Sequence, residues 1–253
     1  MNILLISTNR KQKPMPVMPL GACMVAEAAE AAGHRVHFLD LMHCRTPRAA
    51  LRQALAQQQP EVVGVSIRNI DNNDMQRPEF YPAELAPLLQ VIREWRQVPI
   101  VLGGAAVSVM PEELLRLTKA TCAVTGDGEA AFPALLAKAV NPRDFAEIPG
   151  LCWLEEGVFR RNPAQPGPGG GQCAMPDLPR WLEVKAYQAP LGHRPGAEQT
   201  GLPLPLYLLH LPQDRGQQLP VDGAAKRGGG GASLGGHGLS PYRIRGQCLQ
   251  FAL

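Results

Sequence analysis

Val62-Val63-Gly64-Val65-Ser66-Ile67-Arg68-Asn69 decides the fold, because a short apolar run passes without a break into a polar one. An apolar run of this length, followed directly by polar residues, reads as a strand buried on both faces, as in parallel sheets. The polar residues then stand at the strand's carboxyl edge, where open α/β sheets take their ligands. The same unit recurs on either side. Ile3 to Ile6, Val36 to Leu41, Ile100 to Leu102 and Ala120 to Thr125 read as further strands. Helical patterns follow at Leu20 to Ala32, Pro47 to Gln58, Pro82 to Arg96, Pro111 to Leu117 and Glu129 to Ala139. Pro82 and Pro111 suit a first helical turn, and Gly33 stands where the first helix should stop. Five βα repeats over residues 1–140 predict an α/β fold: a five-stranded parallel, flavodoxin-like (Rossmann-like) sheet with helices on both faces.

Beyond residue 140 the pattern changes. Gly150 to Leu154 and Val158 to Arg160 flank Glu155-Glu156-Gly157 and read as a small hairpin. Pro163 to Pro179 is a Pro/Gly-rich linker, and Trp181 to Tyr187 reads as the start of another segment. The chain holds 26 glycines and 25 prolines in 253 residues, about a fifth where about 12% is usual. Thirteen of those glycines lie between Pro190 and Leu253, where apolar periodicity vanishes and a disordered tail is expected. The resulting division is 1–140 as the α/β domain, 141–189 as hairpin and linker, and 190–253 as tail.

Composition excludes several classes. A net charge of +3 is too slight to argue for nucleic acid. No run approaches the roughly 20 apolar residues of a membrane span, and the N-terminus lacks the pattern of a signal peptide. The six cysteines are scattered without a CxxC pair, which favours reduced thiols and a cytoplasmic setting. Nothing in the sequence sets an oligomeric state.

Chemistry is confined to the loops after the strands. The first, Thr8 to Pro19, offers Thr8 and Asn9; the third offers Ser66, Arg68, Asn69 and Asp71. The fourth reads Gly103-Gly104-Ala105 and the fifth Gly126-Asp127-Gly128-Glu129. Small residues there let a large flat or phosphate-bearing ligand approach the backbone, and helix N-termini supply N–H donors. Each has a plainer alternative: Gly103-Gly104 as a turn, Gly126 to Glu129 as a turn with a helix cap. No GxGxxG follows the first strand, no GxxxxGK[ST] occurs, and no nucleophile–base pair stands out. His34, His37 and His43 have no partner at metal-ligand spacing.

Taken in order, Pro19-Leu20-Gly21, Gly33-His34-Arg35-Val36, Val62 to Asn69, Val101-Leu102-Gly103-Gly104 and Gly126 to Glu129 resemble the N-terminal cobalamin-binding domain of B12-dependent radical SAM enzymes. The resemblance extends over about residues 1–190. It implies a cobalamin cofactor with Ser66, Gly103 and Gly104 beside its nucleotide tail and Gly126 to Glu129 on the tail's far side. Arg68, Asn69 and Asp71 suit the amide fringe of the corrin. The Asp-x-His-x-x-Gly of other cobalamin proteins is absent after the first strand, so a base-off cofactor without a protein histidine is implied. A radical SAM domain should follow, with a CxxxCxxC motif holding a [4Fe-4S] cluster that binds S-adenosylmethionine. This sequence contains no such motif; only Cys248 lies beyond Cys173.

The tail suggests why. Codons for Thr200 to Pro220, read one base later with suitable third positions, can spell RGCPYPCIYCTYPKIEGSSY, which contains the motif. In the same shifted frame, Ile244 to Leu253 can give FVDNVFNLP, which is similar to a radical SAM barrel strand. The expectation is therefore a frameshift near Pro190 to His193, leaving a cobalamin-binding module that is inactive alone. The parent would be a methyltransferase or related radical enzyme, and no catalytic residue falls in this chain. The alternative is a flavodoxin-like regulatory or nucleotide/flavin-binding module with a flexible interaction tail.

Overall fold

A computed structural model describes residues 1–12, 15–164 and 175–188. All of them lie in one compact unit, Met1–Gly216. The expected disordered tail and the middle of the linker lie outside the described residues.

One sheet organises the unit. Its strands are β1 (Asn2–Ser7), β2 (Arg35–Asp40), β3 (Val62–Ser66), β4 (Ile100–Gly103), β5 (Cys122–Val124), β6 (Leu151–Glu155) and β7 (Val158–Arg161). They lie in the order β2-β1-β3-β4-β5-β6-β7. Neighbours among β1 to β5 pair in parallel, whereas β6 pairs antiparallel with β5 and β7 with β6. The sheet is thus mixed and seven-stranded, a correction to the expected five-stranded parallel sheet followed by a separate hairpin. The reason is physical. Left alone, β5 would expose a row of unpaired backbone groups; Leu151 and Cys152, opposite Val124 and Ala123, cover that edge and are themselves buried. The Thr125 amide and hydroxyl both donate to the Gly150 carbonyl, at 2.9 and 2.8 Å, and fasten the joint.

Side-chain alternation divides the interior into two layers. Leu4, Ile6, Val63, Val65, Ile100, Leu102 and Ala123 face one layer, filled by helices α2 (Pro47–Gln58), α3 (Ala86–Trp95), α4 (Ala105–Val109) and α5 (Pro111–Thr118). Ile3, Leu5, Val62, Val101, Cys122 and Val124 face the other, filled by α1 (Leu20–Ala31) and α6 (Gly128–Ala137). Gly64 makes room on this second face: a Cβ there would lie 2.3 Å from Leu5 Cδ2 and 3.5 Å from Phe132 Cζ. The helix expected over Pro82 to Arg96 is divided. Tyr81–Leu85 forms a 3-10 turn, and α3 begins at Ala86 with Pro87 in its first turn, where a missing N–H costs nothing. Helix α4 was absent from the sequence pattern because it has only five residues.

The chain after the linker returns to this body. Helices α7 (Leu178–Trp181) and α8 (Val184–Gln188) lie against α1 and β2. Leu178 and Leu182 pack with Cys23, and Trp181 meets Phe38 at 6.1 Å between ring centroids. Glu27 on α1 accepts from the Asp177 amide at 2.5 Å and from Trp181 Nε1 at 3.2 Å. Arg180 pairs with Glu30, and the Tyr187 hydroxyl donates to the Asp40 carboxylate at the end of β2.

Candidate functional site

The carboxyl ends of β1, β3 and β4 meet in one row. Register places Ser7 beside Ser66 and Ser66 beside Gly103. Alternation turns all three toward the α1 and α6 layer, since Leu5, Gly64 and Val101 two positions earlier face it. This row is small where the rows beneath it are filled. A Cβ on Gly103 would meet nothing within 4 Å. Neither serine hydroxyl makes a hydrogen bond among the described residues. Small residues thus end three adjacent strands on the face that carries α1 and α6, with open space beside Gly103.

Loops above the row are held by backbone bonds. The Thr8 amide and hydroxyl donate to the Ser66 carbonyl, at 3.2 and 2.8 Å. The Ile67 amide donates to the Gly103 carbonyl at 2.8 Å, and the Ile67 carbonyl accepts from Ala106 at 3.1 Å. Gly104, which begins α4, has φ +98°, and a Cβ there would stand 2.5 Å from the Ile67 oxygen. Its absent side chain is therefore what lets the third and fourth loops touch. Ala105 follows on the exposed surface.

Gly126 has φ +79° and donates to Ser108 Oγ at 3.0 Å, which ties the fifth loop to α4. Asp127 precedes α6 and is exposed, while Glu129 lies in the first turn of α6 and is half-buried. A Cβ on Gly128 would lie 2.8 Å from Val25 Cγ2, so Gly128 permits the close approach of α1 and α6.

On the other side of the edge lies an open cleft of about 950 Å³. The structure brings Thr8, Asn9, Arg68 and Asn69 together there, whereas Gly103 to Ala105 and Gly126 to Glu129 lie outside it. Asn9 Oδ1 accepts from the Lys11 amide at 3.2 Å, which shapes the first loop. Arg68 is half-buried and has neither an ion pair nor a hydrogen bond among the described residues; burial holds its guanidinium below its ordinary value. The Asn69 side chain is likewise without a partner among them. Asp71 bends away: its Oδ1 accepts from the Asn73 amide at 3.0 Å within the loop.

Sequence reasoning missed the far wall of the cleft, made by Arg45, Thr46 and Arg48 at the start of α2 and by Tyr81. It also missed Ser7, whose place beside Ser66 appears only with the register. Lys11 crosses the cleft mouth to Glu84 and Glu79, at 2.8 and 3.1 Å, and sits 4.2 Å from the Tyr81 ring centroid. Burial lowers the Lys11 ammonium, but the bonds to Glu84 and Glu79 outweigh it and raise the group overall. Among the described residues no group of three or more His, Cys, Asp or Glu side chains is placed to hold a metal. His43 packs edge-on against Tyr187, 5.0 Å between centroids. Cys23 is buried, and burial with the nearby Asp40 and Glu27 charges pushes its thiol up to about 12. No helix among the described residues is long and apolar enough to cross a membrane.

Residues 13–136, which span α1 to α6 and every loop above the row but the first residues of the first, match the family model described as B12 binding domain. This segment is similar to a B12-binding domain. The tryptophan 2-C-methyltransferase of Streptomyces laurentii is 30% identical over 146 residues, which are 56% of this chain and 24% of that protein. The radical S-adenosylmethionine methyltransferase TsrM from Kitasatospora setae, solved with cobalamin and a [4Fe-4S] cluster, matches at TM-score 0.58 and 30% identity, over 69% of this chain and 31% of that one. The cobalamin-dependent S-adenosylmethionine radical enzyme OxsB, with aqua-cobalamin and S-adenosylmethionine bound, shares the fold at TM-score 0.57 and 16% identity, over 74% of this chain and 25% of that one. The chain thus spans about a quarter of the length of the curated relative. Residues 13–136 lie within the α/β unit described above.

Proposed function

We propose that this chain binds cobalamin at the carboxyl edge of its sheet, as the cofactor-holding module of a B12-dependent radical SAM enzyme. The observation that carries the reading is the row Ser7, Ser66 and Gly103: three small residues, two with unpartnered hydroxyls, opening toward α1 and α6 within a B12-binding segment. The nucleotide tail of cobalamin enters a slot between that row and the starts of α1 and α6. Gly104 lies along the tail, and Gly126 to Glu129 bound its far side. Above it, Thr8, Asn9, Arg68, Asn69 and Ala105 face the corrin rim, whose amides both donate and accept hydrogen bonds. With its tail drawn into the domain the cofactor would be held base-off, and because residues 8–19 contain no histidine, none from that loop would take the base's place. When bound, cobalamin supplies a cobalt centre able to carry a methyl group; the residues here hold and orient it.

The protein, mixed with hydroxocobalamin and desalted, is expected to keep a corrin absorption band. After reduction, its cob(II)alamin resonance is expected to lack the splitting that a nitrogen ligand produces. A colourless product overturns the reading, and a retained flavin spectrum in the protein as isolated supports the flavodoxin-like alternative. A nitrogen-split signal overturns the base-off assignment alone.

The reaction of the intact parent is methyl transfer or related radical chemistry, with S-adenosylmethionine and a [4Fe-4S] cluster held by a domain whose CxxxCxxC motif this sequence does not contain. The two shifted-frame matches, at 200–220 and 244–253, support loss of that domain by a frameshift near residues 190–193. The chain alone is then catalytically silent. The coding DNA is expected to encode CxxxCxxC one base out of register; a stop codon early in that frame, or no such motif, overturns this part.

A further inference from the structure

The cleft beside the cobalamin edge carries more positive charge than that cofactor needs. Arg10, Lys11, Arg45, Arg48, Arg52 and Arg68 line it against a single carboxylate, Glu84. Lys11 already neutralises Glu84, at 2.8 Å, and Arg52 lies 3.9 Å from Glu94 outside the cleft. The exposed side chains of Arg45 and Arg48 have no ion pair or hydrogen bond among the described residues, and that of Arg10 reaches only the Cys44 carbonyl at 3.5 Å. The wall that carries Arg45 and Arg48 is the start of α2, where no acidic side chain occupies the first turn and Thr46 makes no capping bond.

Like charges gathered in a concavity repel one another and focus a positive potential into it. Cobalamin brings one anionic group, the phosphodiester of its tail. The slot proposed for that tail opens on the α1 and α6 face, whereas α2 and this cleft lie on the opposite face of the sheet. The phosphodiester therefore leaves the α2 wall unmatched. Guanidinium groups recognise planar or tetrahedral oxyanions by paired N–H donors, which carboxylates and phosphates satisfy and chloride does not. A volume of about 950 Å³ is of small-molecule size.

We propose that Arg45 and Arg48, with Thr46, form a second binding site that takes a small multivalent oxyanion, a phosphate ester or polycarboxylate, beside the cobalamin edge. The part that distinguishes this anion from the cofactor's own phosphodiester rests on the cobalamin reading; the existence of the site does not.

The test is calorimetric titration of the full chain, without cofactor, with pyrophosphate and separately with citrate, at fixed ionic strength set by chloride. Saturable binding of either probe is expected. R45Q/R48Q is expected to weaken it about tenfold or more, the loss of two charge-assisted contacts. R143Q, an exposed cation on the far side of the chain from α2 in sequence, is expected to leave it unchanged. Protein loaded with hydroxocobalamin is expected to bind the same probe within about threefold. Linear, unsaturable heats, or equal weakening by R143Q, overturn the proposal. So does strict competition between probe and cobalamin, which would assign the α2 wall to the cofactor's phosphodiester. A chain that binds the probe but never retains cobalamin keeps the site and removes the cobalamin reading instead.

Discussion

Replacing Gly104 by alanine lowers the thermal unfolding midpoint by about 5–15 °C and abolishes cobalamin retention. Two costs add. With φ +98° and ψ 174°, Gly104 occupies a backbone region that is essentially restricted to glycine, worth about 1–3 kcal/mol for any other residue. Its new methyl would also stand 2.5 Å from the Ile67 oxygen and 3.0 Å from the Ile67 nitrogen. These are backbone atoms, so no rotamer relieves the overlap. Moving Ile67 breaks its bonds to Gly103 and Ala106 and displaces Arg68, the next residue, from the cleft. A total of roughly 2–4 kcal/mol corresponds to the stated shift for a domain of this size, at about 2–4 °C per kcal/mol. Gly103 supplies the contrast. Its methyl would meet no atom within 4 Å, so Gly103→Ala is expected to leave the midpoint within about 2 °C while weakening cobalamin retention. Differential scanning fluorimetry and desalting of the loaded protein read both outcomes. Equal midpoints for the two variants would show that Gly104 does not brace the loops, and undiminished retention by Gly103→Ala would remove the slot.

That contrast also marks how far the sequence is legible. Val62 to Val65 could be recognised as a doubly buried strand because such strands are apolar without alternation, and the residue that ends the run, Ser66, falls at the ligand edge by necessity. Ser7 ends its own run in the same way, but its meaning depends on standing beside Ser66, and pairing across 59 positions leaves no local trace. Arg45 and Arg48 were invisible for a similar reason: basic residues at a helix start read as solvated surface until the first and third loops close a cleft around them. The hairpin was legible from its turn residues, whereas its attachment was not, since β5 has only three residues and its antiparallel partner is 27 residues away. Glycine pairs were ambiguous in sequence and become separable in three dimensions: Gly104 and Gly128 are required by neighbouring atoms, and Gly103 by none.

The return of the chain after the linker has an energetic consequence that pH exposes. Tyr187 is 5% exposed, and its hydroxyl donates to the Asp40 carboxylate. Burial, then the bond to Asp40 and the Asp40 charge, raise the phenol well above its ordinary value of 10.0. A phenol that ionises less readily in the folded state than in the unfolded chain stabilises the fold. That contribution is complete below the unfolded value, about 10, and is lost as pH rises through the raised folded value. Tyr187→Phe removes the donor and leaves the ring in place against His43. It is expected to cost about 1–3 kcal/mol at neutral pH, the range for a hydrogen bond to a charged group that loses its partner. Lys11 and Cys23 are present in both proteins, so the difference between them reports Tyr187 together with its coupling to Asp40 and Cys23. Denaturant titrations at pH 8, 10 and 11 should show the wild-type advantage shrinking only above about pH 10. An advantage that is constant with pH would mean the phenol contributes through packing alone. No advantage at any pH would mean that α8 does not hold the end of β2.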